Sequence, residues 1–195
     1  MYTPKDRYFK KAKETGFRSR AAFKLIEMDK QFRLMKPGML VVDLGCAPGS
    51  WMQVASSAVG PTGRVIGIDL EEIQPFSEKN ATFIKGDIRE PYTNQRLLSE
   101  LSCKVDLVIS DMAPHLSGIK FKDQYQSYEL ADMAFKICPI ILKKGGNLVI
   151  KVFPGEENDG LKKEIQTCFT QVKVFIPDAT RKTSSEVYFI AKGYK

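Results

Sequence analysis

Val41-Val42-Asp43-Leu44-Gly45-Cys46-Ala47-Pro48-Gly49-Ser50-Trp51 reads as a hydrophobic strand that ends in a glycine-containing turn and opens a helix, a unit that brings backbone close to a ligand. Outward from it the chain alternates. Strands are predicted over 40–45, 64–70, 81–87, 105–111, 146–153, 171–177 and 186–192, and helices over about 20–32, 49–59, 93–102, 126–143 and 157–169. Near-continuous apolar strands separated by helical stretches mean a mostly parallel sheet covered on both faces. The last two strands are joined only by 178–185 (DATRKTSS), too short for a helical crossover, so they are expected to pair antiparallel. The expectation is one α/β domain over 1–195, with a seven-stranded, mostly parallel sheet, one antiparallel strand and helices on both faces.

Ahead of this unit lies a basic N-terminal arm and helix, 1–35. Residues 1–24 carry eight lysines and arginines against Asp6 and Glu14, within a chain of net charge +7. Tyr2, Tyr8, Phe9 and Phe17 interleave with them, which suits backbone contact with a polyanion plus base stacking, although a basic solubility tail has the same composition. Ser19 is expected to cap a helix from Arg20 to Phe32, with Ala22, Leu25, Ile26, Asp29 and Phe32 along one stripe.

The inventory excludes several chemistries. Cys46, Cys103, Cys138 and Cys168 show no C-x-x-C spacing and read as reduced core residues, and His115 is the single histidine. A zinc site, a disulfide framework and a histidine-based triad are therefore not expected, and no metal is. There is no run of about 18 apolar residues and no apolar stretch in the opening segment, so neither a membrane span nor a signal peptide is expected. The chain is expected to act in the cytoplasm as a monomer.

The ligand is read from the strand ends. Asp69 ends the second strand, where a carboxylate can accept hydrogen bonds from a ribose diol. A dinucleotide would want G-x-G-x-x-G; here the spacing is Gly45-x-x-x-Gly49 with Pro48 inside, suiting a ligand without phosphates. S-adenosylmethionine fits, with its ribose on Asp69, its adenine near Asp87 at the third strand end, and its sulfonium near a carboxylate such as Asp111 at the fourth. Any one of these aspartates could be a turn former or helix cap; together with the glycine turn they describe one crevice. The stretch 112–125 (MAPHLSGIKFKDQY) is the longest candidate functional loop.

Five segments together resemble the FtsJ/RrmJ ribose 2′-O-methyltransferases: Arg18-Ser19-Arg20-Ala21-Ala22-Phe23-Lys24-Leu25, Asp43 to Trp51, Ser110-Asp111-Met112-Ala113-Pro114, Lys151-Val152-Phe153, and Arg181 to Tyr188. The family's glycine turn commonly has small residues at both flexible positions and a second glycine before the tryptophan, where Cys46 and Ser50, both small, stand here, and the basic arm is short. The resemblance implies a Rossmann-like class I methyltransferase domain and a Lys-Asp-Lys-Glu tetrad at Lys24, Asp111, Lys151 and Glu186, with Trp51 beside S-adenosylmethionine. It also implies a uridine of large-subunit ribosomal RNA as substrate, with transfer RNA and a catalytically silent ribosome-assembly role as alternatives. The assignment makes chemical sense. Methyl transfer needs the 2′-oxygen aligned and its proton removed, and a lysine can be that base only if its pKa falls well below about 10.4. Lys151 ends an apolar strand, where a charge is costly unless partnered; Asp111 and Glu186 are the expected partners, and Lys24 would hold a phosphate or supply a neighbouring cation. An amino-group methyltransferase would want an aromatic after the fourth strand, which Asp111-Met112-Ala113-Pro114 lacks.

Overall fold

A computed structural model describes residues 7–195; Tyr2, Lys5 and Asp6 of the basic arm lie outside the described residues. The helices are α1 (Arg7–Glu14), α2 (Ala22–Phe32), α3 (Ser50–Val59), α4 (Pro91–Glu100), α5 (Lys120–Lys136), α6 (Cys138–Ile141) and α7 (Glu157–Cys168). The strands are β1 (Leu40–Leu44), β2 (Arg64–Asp69), β3 (Ala81–Lys85), β4 (Val105–Ser110), β5 (Leu142–Val152), β6 (Phe169–Phe175) and β7 (Val187–Tyr194).

The strands form one sheet in the order β3-β2-β1-β4-β5-β7-β6. Only β7 is reversed, pairing antiparallel with both β5 and β6. All five residues of β1 are buried, as a central strand covered on both faces requires. Two apolar layers enclose the sheet. One gathers Val42, Leu44, Ile66, Leu148 and Ile150 with Phe135 and Leu161; the other gathers Val41, Val65, Leu107 and Val149 with Leu25, Met28, Trp51 and Met52.

Local differences from the expected elements have physical causes. The basic arm is helical from Arg7, and Ala12 packs with Phe23 and Ala179 while Tyr8 lies 5.5 Å from Phe23. Ser19 does not cap α2. Its hydroxyl accepts the Ala21 N–H and donates to the Ser50 hydroxyl, tying the chain before α2 to the start of α3, while Ala21 occupies the cap position in helical conformation. Ile26 is exposed, and Asp29 is no stripe residue: its carboxylate accepts the N–H groups of Leu34 and Met35 at 2.9 and 2.8 Å. The helix expected over 126–143 starts at Lys120, which shortens the 112–125 loop, and it stops at Lys136, because Pro139 cannot continue it and instead opens α6. Cys46 and Cys138 are buried, but Cys103 is exposed and Cys168 half-buried, so only two of the four are core residues. Among the described residues no helix is long and apolar enough to cross a membrane.

The turn after α2 has one costly feature. Arg33 sits at φ 52° and ψ 60°, left-handed, with its N–H on the Asp29 carbonyl; glycine would adopt this at no cost, whereas a side chain there costs on the order of 1 kcal/mol. Asp29 holds the turn in that shape. Asp29→Ala is expected to destabilise the fold by about 1.5–3 kcal/mol, the scale of hydrogen bonds to a charged group, readable as a lower urea midpoint with an unchanged m-value.

Candidate active site

Strand register builds the site. Leu44 pairs with Ser110, Ser110 with Ile150 and Ile150 with Phe189, so the next step along the strands brings Asp111, Lys151 and Tyr188 into one row at the carboxyl edge of the sheet. Lys151 and Tyr188 are direct cross-strand partners. The Lys151 Nζ donates to the Asp111 carbonyl at 2.5 Å and ion-pairs with Asp111 Oδ1 at 3.1 Å. The Tyr188 hydroxyl donates to the same Oδ1 at 2.7 Å. From α2, Lys24 Nζ reaches Glu186 Oε1 at 2.5 Å, Asp111 Oδ2 at 3.9 Å and the Tyr188 hydroxyl oxygen at 3.0 Å. Lys24, Lys151 and Glu186 are each less than a tenth exposed. The four residues named for the tetrad thus meet in one cluster of two cations and two anions.

The electrostatics follow from the partners. Burial pushes the Asp111 carboxyl up, but Lys151, Lys24 and the Tyr188 hydrogen bond outweigh it and hold the group below the usual carboxylate range. Burial, together with the Asp111 and Glu186 charges, pushes the Tyr188 phenol well up, so it stays a neutral donor. Tyr188 is the participant that motif matching passed over, although it closes the matched segment Arg181 to Tyr188. The overlooked signal was strand alternation, which puts residue 188 on the same face as 186.

Beside the cluster lies a cavity of about 370 Å³. Gly45, Asp69, Asp87 and Asp111 line it, with Glu71, Met112 and His115, so the three strand-end aspartates converge on one crevice. Asp69 joins two of its walls by accepting the Ala47 and Glu71 N–H groups at 2.8 and 2.9 Å. Asp87 is clamped by the Arg89 guanidinium and backbone N–H, and the Arg89 hydrogen bond holds it below the usual range. Gly45, at φ +75°, lets Met112 close over the turn; a Cβ there would meet Met112 Cγ at 2.4 Å. Gly49, also at positive φ, lets Arg18 and the Phe76 ring, themselves stacked at 3.9 Å, press on the backbone.

Pro48, Gly49 and Trp51 lie outside this lining. Trp51 is buried, its indole N–H donates to the Ala21 carbonyl at 2.8 Å, and its ring packs 5.9 Å from Tyr188; it braces the tetrad from behind. Beneath the cavity sits Asp43, fully buried, with neither carboxylate oxygen hydrogen-bonded. Desolvation first, then the charges of Asp111 and Asp69, push its pKa well above the ordinary value. An acidic, part-apolar crevice over an unpartnered carboxyl group fits a ligand that carries positive charge, as S-adenosylmethionine does at its sulfonium and ammonium groups. Among the described residues no acid, histidine and cysteine cluster could hold a metal.

Residues 17–194 match the family described as FtsJ-like methyltransferases. A ribosomal RNA large subunit methyltransferase E of Desulfatibacillum aliphaticivorans is 44% identical over 98% of this chain and 91% of its own length. The protein of that name from Coxiella burnetii is 46% identical over 96% of this chain and 90% of its own. A crystal structure described as a ribosomal RNA methyltransferase of Plasmodium falciparum superposes with a TM-score of 0.82, is 30% identical, and shares 91% of this chain and 98% of that one.

Because its folded-state pKa is raised, Asp43 contributes most to stability below the ordinary carboxyl value and loses that contribution as pH rises past it. Asp43→Asn is therefore expected to gain stability over the native chain progressively as pH rises from about 4 to about 7, by up to about 1.4 kcal/mol per unit. Urea titrations across that range check this; parallel pH profiles for the two proteins would mean that Asp43 ionises without cost.

Proposed function

This chain belongs to the FtsJ-like methyltransferase family, and we propose that it transfers the methyl group of S-adenosylmethionine to a ribose 2′-hydroxyl of large-subunit ribosomal RNA, at a uridine. The observation that carries this reading is the Lys24–Asp111–Lys151–Glu186 cluster with Tyr188, opening on an acidic cavity of a size suited to the cofactor. We place the reaction in the cytoplasm, with the protein acting as a monomer.

Bound S-adenosylmethionine supplies an electrophilic methyl group on a sulfonium. Asp69 would bind its ribose and the Gly45 turn would let the ligand approach the backbone, with Asp87 and Arg89 at the adenine end. Pro48, Gly49 and Trp51 support the turn from behind. Asp111 and Tyr188 orient Lys151, whose Nζ, after releasing its own proton to solvent, takes the proton from the 2′-hydroxyl; Lys24, anchored by Glu186, steadies the developing oxyanion. Arg20 donates to the Ala179 carbonyl and, with Arg181, lies within electrostatic reach of Glu186. On α1, Lys10, Lys11 and Lys13 are exposed, and Lys13 lies over Phe9, which is itself half exposed.

The direct test is incubation with labelled S-adenosylmethionine and either isolated large subunits or free ribosomal RNA, followed by mapping of ribose methylation; no labelled ribose in any arm would end the proposal. Lys151→Ala should cut methylation by at least about a hundredfold while cofactor affinity changes within a few fold. Lys151→Arg should be equally inactive, since a guanidinium does not give up its proton in a protein; an active arginine variant would make Lys151 an electrostatic clamp and move the base elsewhere. For Asp69→Ala, calorimetry should show roughly tenfold or greater loss of S-adenosylmethionine affinity, the scale of one charge-assisted contact, and unchanged binding would remove Asp69 from the ribose.

A further inference from the structure

A second cavity, of about 580 Å³, opens at the opposite edge of the sheet. Four cations line it, Arg33, Lys36, Lys143 and Lys192, against one acid, Asp106. Asp106 is already engaged: its carboxylate pairs with Lys143 and accepts the Leu40 N–H. Lys192 donates to the Phe32 carbonyl, which fixes its direction without neutralising it. Arg33 and Lys36 are exposed. Thr170, Gln171 and Asn147 share the remaining wall with Met39 and two glycines, and the excess of cations over the one paired acid suits the cavity to a hydrated anion.

Arg33 gives the second observation. Among the described residues it is the one non-glycine with positive φ, and it stands where a helix usually ends in glycine. The left-handed backbone carries a penalty that glycine would remove, and the side chain so placed lines the cavity. Asp29 over-determines this turn, and an arginine in place of glycine adds a cation to the cavity wall.

The cavity is rigidly tied to the reaction site. Arg33 follows the end of the helix that carries Lys24, about 14 Å along at ~1.5 Å per residue. Asn147 lies about 13 Å from Lys151 along β5 at ~3.3 Å per residue. One RNA bound at both places is held in a defined register relative to the tetrad.

We propose that the cavity at Arg33 and Lys36 is a second phosphate-binding site, which holds the backbone of a ribosomal RNA segment remote from the methylated ribose. The choice of RNA rests on the function proposed above; the anion site itself rests on the charge and geometry. Binding is read without S-adenosylmethionine, by titrating fluorescently labelled large-subunit ribosomal RNA with the full chain from about 50 to about 200 mM salt. The Arg33→Gly/Lys36→Gln pair should weaken binding several-fold and lower the salt slope by about 1.4–1.8, the value of two lost phosphate contacts. The charge-matched pair Lys162→Gln/Lys163→Gln on α7 should change the slope much less, and calorimetry should show native cofactor affinity in both.

Arg33→Gly alone should also raise Tm by roughly 1–3 °C, because it relieves the left-handed backbone. A gain in stability with a loss of RNA binding is the combination that a purely structural arginine would not give. The proposal is overturned if the cavity pair lowers the slope no more than the α7 pair, or if Arg33→Gly lowers Tm. Failure of the function proposed above would show separately, as a native chain that methylates no RNA, and would leave this titration readable.

Discussion

Asp111 is the group on which the rest of the site depends. A carboxylate at a strand end, partly withdrawn from water, is tolerable only where cations and donors compensate its lost hydration. Here Lys151, Lys24 and Tyr188 do so from three different elements. Each contact in turn fixes its donor. Lys151 is held between the backbone carbonyl and the carboxylate of one residue, Tyr188 is turned toward the row by cross-strand pairing, and α2 is drawn against the sheet by Lys24. Removing one partner would leave a buried charge uncompensated, so the cluster behaves as a unit and single substitutions in it should be strongly non-additive.

The same edge of the sheet also carries a group whose cost is not offset within the protein. Asp43 has two unpartnered oxygens beneath the cavity floor, while Asp69 and Asp87 are each engaged by loop donors. The crevice is therefore lined by three engaged aspartates, Asp69, Asp87 and Asp111, with the unpartnered Asp43 carboxyl group buried close by. Recognition of a cationic ligand then rests on acids that the strand ends bring to one crevice, with burial keeping the Asp43 carboxyl protonated to higher pH than usual.

Strand and helix order was legible because β1, β2, β4 and β5 are nearly continuous apolar runs, and the short 178–185 connection dictated the single reversed strand. The strand-end aspartates were legible for the same reason, since parallel strands all deliver their last residue to one edge. What local pattern could not show is which polar groups would meet across the fold. Ser19 looks like a helix cap by position, yet its hydroxyl is taken by Ser50, a partner 31 residues away. Asp29 falls on the helical stripe by period, but the left-handed turn at Arg33 directs two backbone N–H groups onto it. Trp51 sits in the cofactor turn by sequence and behind the tetrad in space, because the helix it opens turns its ring toward α2 and β7.

These features share one arrangement. The apolar interior is built from residues that satisfy ordinary packing, and departures from it gather at the two ends of the strands. At one end are a buried unpaired acid and a four-charge cluster; at the other, a left-handed arginine beside three further cations. A stable scaffold can carry such local costs because each amounts to a few kcal/mol against a core of some forty buried apolar side chains. α2 spans the distance between them, with Lys24 near its start and Arg33 just past its end. An anionic chain held at the far end would then bear on the helix that carries Lys24, so binding affinity and the alignment of Lys24 in the four-charge cluster would be set by one rigid element and not by two independent surfaces.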